Sequence, residues 1–197
     1  DELMEDSLLL ESKLARIAGK CFVWKINEAI VAGTGAGQPL GLLNAPCLVN
    51  VSAVSGQGAN TIVGANVSAM FARRPPGTNA RMVWLYNVDI EPQLDQLAFT
   101  AAVSNSYVGQ FMYLPPGGLR DSIEPRLKGR PMYETEHCKA LGTQGDLILW
   151  DPQSYGAIVK STGIQQAVSM HLRFDYGEQA FRWTFRMDGR PYWDDVL

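Results

Sequence analysis

Asn27-Glu28-Ala29-Ile30-Val31-Ala32-Gly33-Thr34-Gly35-Ala36-Gly37-Gln38-Pro39-Leu40-Gly41-Leu42-Leu43 joins the end of a long amphipathic stretch to a glycine-rich loop. Such a loop suggests phosphate binding when a strand precedes it and a helix follows, so that amides at the helix N-terminus face the anion. Here the order is reversed. Leu10, Leu14, Ile17, Ala18, Cys21, Phe22, Ile26, Ala29 and Ile30 recur mostly every three or four residues, which predicts one apolar helical face. Glu11, Lys13, Lys20, Lys25 and Glu28 fall largely on the other side. Asp6 and Ser7 are good N-caps, and Gly33 and Gly35 would supply the positive φ that ends a helix. No Lys followed by Ser or Thr comes after the last glycine, as a P-loop requires. The loop therefore reads as a helix stop and turn, and no cofactor is expected.

At 197 residues and 46% hydrophobic content, the chain can bury a core as one domain or two small ones. A net charge of -3 argues against a broad face that neutralises DNA phosphate, though a wall enclosing DNA is compatible with it. Cys21, Cys47 and Cys138 are scattered without C-x-x-C spacing, so they read as reduced thiols and suggest neither disulfides nor zinc. No run of about 18 apolar residues would span a bilayer. The acidic opening Asp1-Glu2-Leu3-Met4-Glu5-Asp6 lacks the basic region of a signal peptide; without an initiator Met, a processed chain or a fragment is expected.

Downstream, residues 45–58 predict a surface loop with a short strand at 48–51, followed by a helix capped by Asn60 or Thr61 and ended by Arg73-Arg74-Pro75-Pro76-Gly77. Its apolar side would be Ile62, Val63, Val67, Met70 and Phe71. Residues 82–86 have strand length, and Asp89 opens a helix with Pro92 in its first turn and Leu94, Leu97 and Ala98 facing inward. Residues 110–114 and 131–134 are expected strands around the breaker Pro115-Pro116-Gly117-Gly118. Residues 147–150 predict a buried strand with 157–160 as its hairpin partner. Val168, Met170, Leu172 and Phe174 alternate with polar residues, as Phe181, Trp183, Phe185 and Met187 do, and Asp175-Tyr176-Gly177-Glu178 would turn the first run into the second. The expected class is α+β with mostly antiparallel strands.

Little in the chain points to catalysis. His137 and His171 lack ligand spacing, so no metal site is expected. His137 and Cys138 are neighbours that would point to opposite faces of a strand, which is poor geometry for a thiolate and its base. No G-x-S-x-G occurs. Glu91, Asp95, Glu134, Glu136, Asp194 and Asp195 show no spacing that pairs two of them across a cleft. Five tryptophans with Arg73, Arg74, Arg126, Arg130, Arg182 and Arg186 could suggest base stacking, but Trp150 and Trp183 fall in apolar patterns and read as core. Arg182 and Arg186 would face away from Phe181 and Phe185, either toward carboxylates of a neighbouring subunit or toward solvent.

The opening stretch carries a resemblance, together with Met82-Val83-Trp84-Leu85-Tyr86-Asn87, Leu127-Lys128-Gly129-Arg130-Pro131, Gly145-Asp146-Leu147-Ile148-Leu149-Trp150-Asp151 with Tyr155, and Ala180-Phe181-Arg182-Trp183-Thr184-Phe185-Arg186-Met187-Asp188-Gly189-Arg190-Pro191. In this order and spacing they resemble the major capsid proteins of tailed bacteriophages of the Hong Kong 97 type. The resemblance implies a spine helix followed by a turn. It also implies a peripheral-type domain over 1–130, an axial-type domain over 131–172 and a return to the peripheral part over 173–197. The implied function is that of a non-enzymatic structural subunit of an icosahedral phage or prophage shell, assembled in the host bacterial cytoplasm and found in the virion. Its partners would be copies of itself in pentamers and hexamers, enclosing double-stranded DNA without reading its sequence, with no membrane involved. Pro115, Pro116, Leu119, Arg182 and Arg186 are the expected subunit contacts. The family's N-terminal arm and extended hairpin are not represented, and no residue of its Lys to Asn cross-link is carried over. The alternatives are an encapsulin-like nanocompartment shell and, from another class, a small enzyme holding a phosphorylated ligand at 33–41.

Overall fold

The computed structural model describes residues 7–97, 113, 114, 125–176 and 178–196. The chain forms two compact units, one of Asp1–Asn44 with Gly156–Arg190 and the other of Ala45–Tyr155 with Pro191–Leu197. The boundaries expected from sequence, 130/131 and 172/173, refer to positions in a shell, and these contact-based ones do not coincide with them.

The first unit is built on α1, Ser7–Ala32. The final helical bond runs from Gly33 N to Ala29 O at 2.9 Å, and the chain then turns back through an antiparallel bridge between Thr34 and Leu40. Gly35 (φ 78°) and Gly37 (φ 70°) carry the left-handed backbone of this turn. Gly33 does not, contrary to expectation; its position excludes a side chain for a different reason. A Cβ there would collide with the carbonyls of Ala29 and Pro39, and one on Gly41 would strike the Gly33 amide. Strands β6 (Tyr155–Val159) and β9 (Met187–Pro191) form one two-stranded ribbon, and β7 (Gln165–Arg173) pairs antiparallel with β8 (Glu178–Thr184) in another. The hairpin expected around Asp175 is therefore present, with a 3-10 turn at Phe174–Tyr176.

The second unit holds the main core. Its five-stranded sheet has the order β2-β3-β4-β1-β5, with β1 Val83–Tyr86, β2 Tyr113–Leu114, β3 Arg126–Leu127, β4 Arg130–Glu134 and β5 Leu147–Trp150. β1 and β4 are parallel, in the register Trp84 to Met132, while the other pairs are antiparallel. Alternation along β1 sends Trp84 and Tyr86 inward, where they meet Val67 of α2 (Gly64–Ala72), Leu94 of α3 (Glu91–Leu94), Ile90, Leu127 and Met132. Trp84 is fully buried, and its indole N–H donates to Leu127 O at 3.1 Å. This bond satisfies a polar group that would otherwise be costly to bury.

Several local expectations change. Residues 48–51 form no strand. α2 starts at Gly64, where Asn66 Oδ1 accepts from Val63 N at 3.1 Å; Asn60, the expected cap, sits instead at φ 54° with its carbonyl accepting from Gln93. Asp89 falls in a 3-10 turn, Val88–Ile90, capped by Asn87, which leaves α3 only one turn long. β5 pairs with β1 rather than with 157–160, because a nonlocal partner covers its buried residues Leu147 and Ile148 and the 3-10 turn at Pro152–Ser154 redirects the chain. The expected cap at Asp6, the inward Ala98 and the strand start at 110–112 lie outside the described residues.

Candidate assembly surfaces

Val31 and Leu42 are buried, and Phe22 packs against Phe185 with ring centroids 5.9 Å apart. Ile17, Val23 and Trp24 nevertheless remain exposed on α1, and Lys25 lies over the Trp24 ring while pairing with Glu28 at 2.6 Å. Across the ribbons, Ile158 is 78% exposed and Leu172 76%, with Val159, Ile164, Val168 and Tyr176 also open. The alternation in β7 was expected to mark a face buried within the chain. Val168 and Leu172 are instead exposed, with no second layer over them among the described residues.

Alternation in β8 and beyond is as expected: Phe181, Trp183 and Phe185 are half-buried, and Arg182, Thr184 and Arg186 are exposed. No carboxylate lies within 4 Å of either arginine among the described residues; the two ion pairs there are Lys25 with Glu28 and Arg81 with Asp151. The Arg186 carbonyl accepts from Lys160 N at 3.1 Å, which fixes the backbone there. Trp183, expected in the core, is only half-buried and stacks on Phe181 with centroids 5.7 Å apart; its indole nitrogen is buried without a hydrogen-bond partner among the described residues, as is that of half-buried Trp150. Pro115, Pro116 and Leu119, the other expected contacts, lie outside the described residues.

Two amides of the glycine loop are already engaged within the chain. Leu40 N donates to Gly189 O and Gly41 N to Gly33 O, both at 2.8 Å. Asn44 Nδ2 donates to the carbonyls of Ala32 and Gly33, closing the helix C-terminus. The group facing the loop is thus the negative end of a helix dipole, which repels anions. A shallow cleft beside it is lined by Phe22, Lys25, Ala29, Gln38 and Phe185.

Burial, with the Asp146 carboxylate adding to it, pushes the Cys138 thiol up to about 12, which keeps it protonated and poorly nucleophilic at neutral pH. No three His, Cys, Asp or Glu side chains gather as metal ligands among the described residues. No helix among them is long and apolar enough to cross a membrane.

Two solved structures share the fold. The capsid of an empty GTA particle, with C5 symmetry, matches 94% of this chain and 63% of that one at a TM-score of 0.66 and 16% identity. The capsid of the native GTA particle, with C5 symmetry, matches 92% and 62% at 0.65 and 15%. The chain therefore spans less than two thirds of the GTA capsid chains it resembles, and at these identities the likeness is one of fold. No curated protein matches the sequence. The model of the phage capsid family matches residues 1–195, nearly the whole chain, and the chain belongs to that family.

Proposed function

We propose that the protein is a structural subunit of an icosahedral phage or prophage shell, working by self-association and without catalytic turnover. Copies would close pentamers and hexamers through heterologous contacts, and other contacts would join the rings. The shell would enclose double-stranded DNA without sequence-specific binding and form part of the virion after assembly in the host cytoplasm. One observation carries the reading beyond family membership: the first unit leaves large apolar side chains open on both α1 and its ribbons, beside exposed arginines with no carboxylate within 4 Å among the described residues. Exposed apolar area of this kind marks an interaction surface. Arg182 and Arg186 are proposed to pair with carboxylates of a neighbour, and Pro115, Pro116 and Leu119 remain proposed contacts.

The long helix and its ribbons suit the peripheral-type part of such a shell, which supports assigning Gly156–Arg190 to that part alongside α1. The axial-type part is then proposed to lie within Ala45–Tyr155, a span that includes most of the 131–172 range expected from the resemblance. Negative-stain microscopy of the expressed full-length product should show rings or closed shells. A chain that stays monomeric by sedimentation at high concentration would refute the proposal.

A further inference from the structure

The parallel pairing of β1 with β4, and the antiparallel pairing of β5 with β1, bring charges of one sign to each end of the five-stranded sheet. At the C-terminal ends of β1 and β4 lie Asp89, Glu91, Glu134, Glu136 and Asp146, with Asp95 one turn further and Lys139 the one cation in those segments. Thr135 N donates to Tyr86 O and Asn87 N to Asp146 O, which holds these segments together. Glu91 and Glu134 both act on Tyr86, and Glu91 and Asp95 on Tyr113. After burial itself, these charges help raise both phenols above the ordinary tyrosine range.

At the opposite end lies the β3–β4 turn, where Lys128 (φ 50°) and Gly129 (φ 74°) adopt the backbone of a type I′ turn, a place ordinarily taken by Asn or Gly. A lysine held in this conformation is strained, and strain of this kind collects at binding sites. Lys128 Nζ donates to Ser68 Oγ at 2.9 Å and lies 5.3 Å from the Phe71 ring centroid, while the Arg74 guanidinium lies 4.3 Å from the same centroid. Two cations thus share one aromatic ring. Burial, and then Arg74, lower the Lys128 ammonium below its ordinary range. Arg73, Arg126 and Arg130 stand nearby in sequence, and none of the five has a carboxylate within 4 Å among the described residues. Arg130 Nε is also buried without a hydrogen-bond partner among the described residues. Arg81, at the same end, is neutralised by Asp151 at 3.0 Å.

We propose that these ends are complementary surfaces, so that the Phe71, Arg74 and Lys128 stack of one copy seats the Glu91, Glu134 and Glu136 end of the next, head to tail. The inference rests on the shell-subunit reading and specifies one contact within it. A contact between two different patches repeats around a ring, and carboxylates would supply the missing counter-charges in bidentate or point contacts. Nucleic acid phosphate would satisfy the basic end alone and leave the acidic end without a role.

The test is charge reversal in the full chain, read by sedimentation velocity, with circular dichroism as the folding control. Arg74→Glu with Lys128→Glu makes both ends acidic; Glu134→Lys with Glu136→Lys makes both basic. Each should lose association by about tenfold or more, while an equimolar mixture of the two, or a chain carrying all four changes, should regain it and weaken again in about 0.5 M salt. If loss of the Ser68 bond unfolds the turn, Arg73→Glu with Arg126→Glu replaces the first pair, since both side chains are exposed. Reversed chains that associate as the parent does would overturn this contact and leave the shell reading standing. A parent and a mixture that both stay monomeric would overturn the two together.

Discussion

Gly33 shows how a residue can be identified correctly from sequence for an incorrect reason. A glycine after a helical run predicts a left-handed cap, but the cap conformation belongs to Gly35 and Gly37, and Gly33 is required because backbone carbonyls crowd its Cα. Steric exclusion between segments is a property of the folded turn, and no local pattern encodes it. Gly33→Ala is expected to destabilise by about 3 kcal/mol in urea unfolding, by overpacking against backbone that cannot yield. Gly37→Ala meets open space and should cost only the left-handed backbone penalty, about 1 kcal/mol. Equal losses would contradict this account. Cys138 allows a second test. Its unfolded thiol ionises near 9.0 and its folded one at about 12, so the unfolded state releases its proton first. Stability should therefore fall as pH rises through that interval and be indifferent to this thiol below it. At pH 8, exposed Cys21 should be alkylated promptly and Cys138 only on unfolding; equal rates would show that the site is open.

Elements with strong periodicity were legible in the sequence. α1, β1, β5 and the β7–β8 hairpin stand where their patterns put them, because each pattern is long or bounded by turn formers. The misplaced elements are short: α2 begins later than Asn60, and the partner of β5 is the distant β1 rather than the adjacent β6. Strand pairing follows the burial of Leu147 and Ile148 against a core assembled from several elements, which adjacency in sequence does not report. Two substitutions probe element-scale links. Asn44→Ala removes both side-chain bonds to the last carbonyls of α1 and should cost about 1–2 kcal/mol, visible as earlier thermal loss of helical signal. Trp84→Phe keeps most of the packing but removes the indole bond to the Leu127 carbonyl, for about 1 kcal/mol in chemical unfolding.

Across the whole molecule, stability and assembly should separate. Ile158→Ser with Leu172→Ser, or Arg182→Glu with Arg186→Glu, alters exposed side chains, so unfolding should change by less than about 0.5 kcal/mol. Light scattering during assembly should nevertheless fall sharply in both. A large loss of stability would mean that these faces are covered within the chain. Residue order alone established the α+β class, the helix that stops at a glycine turn, the inward and outward sides of β8 and the resemblance to phage capsids, since periodicity and turn chemistry act over a few residues. It could not reveal that Val168 and Leu172 of β7 stand exposed, that β1 joins β4 in parallel, or that the sheet ends carry opposite charge. Those features depend on which distant segments come together, and that is a matter of packing and chain path through space.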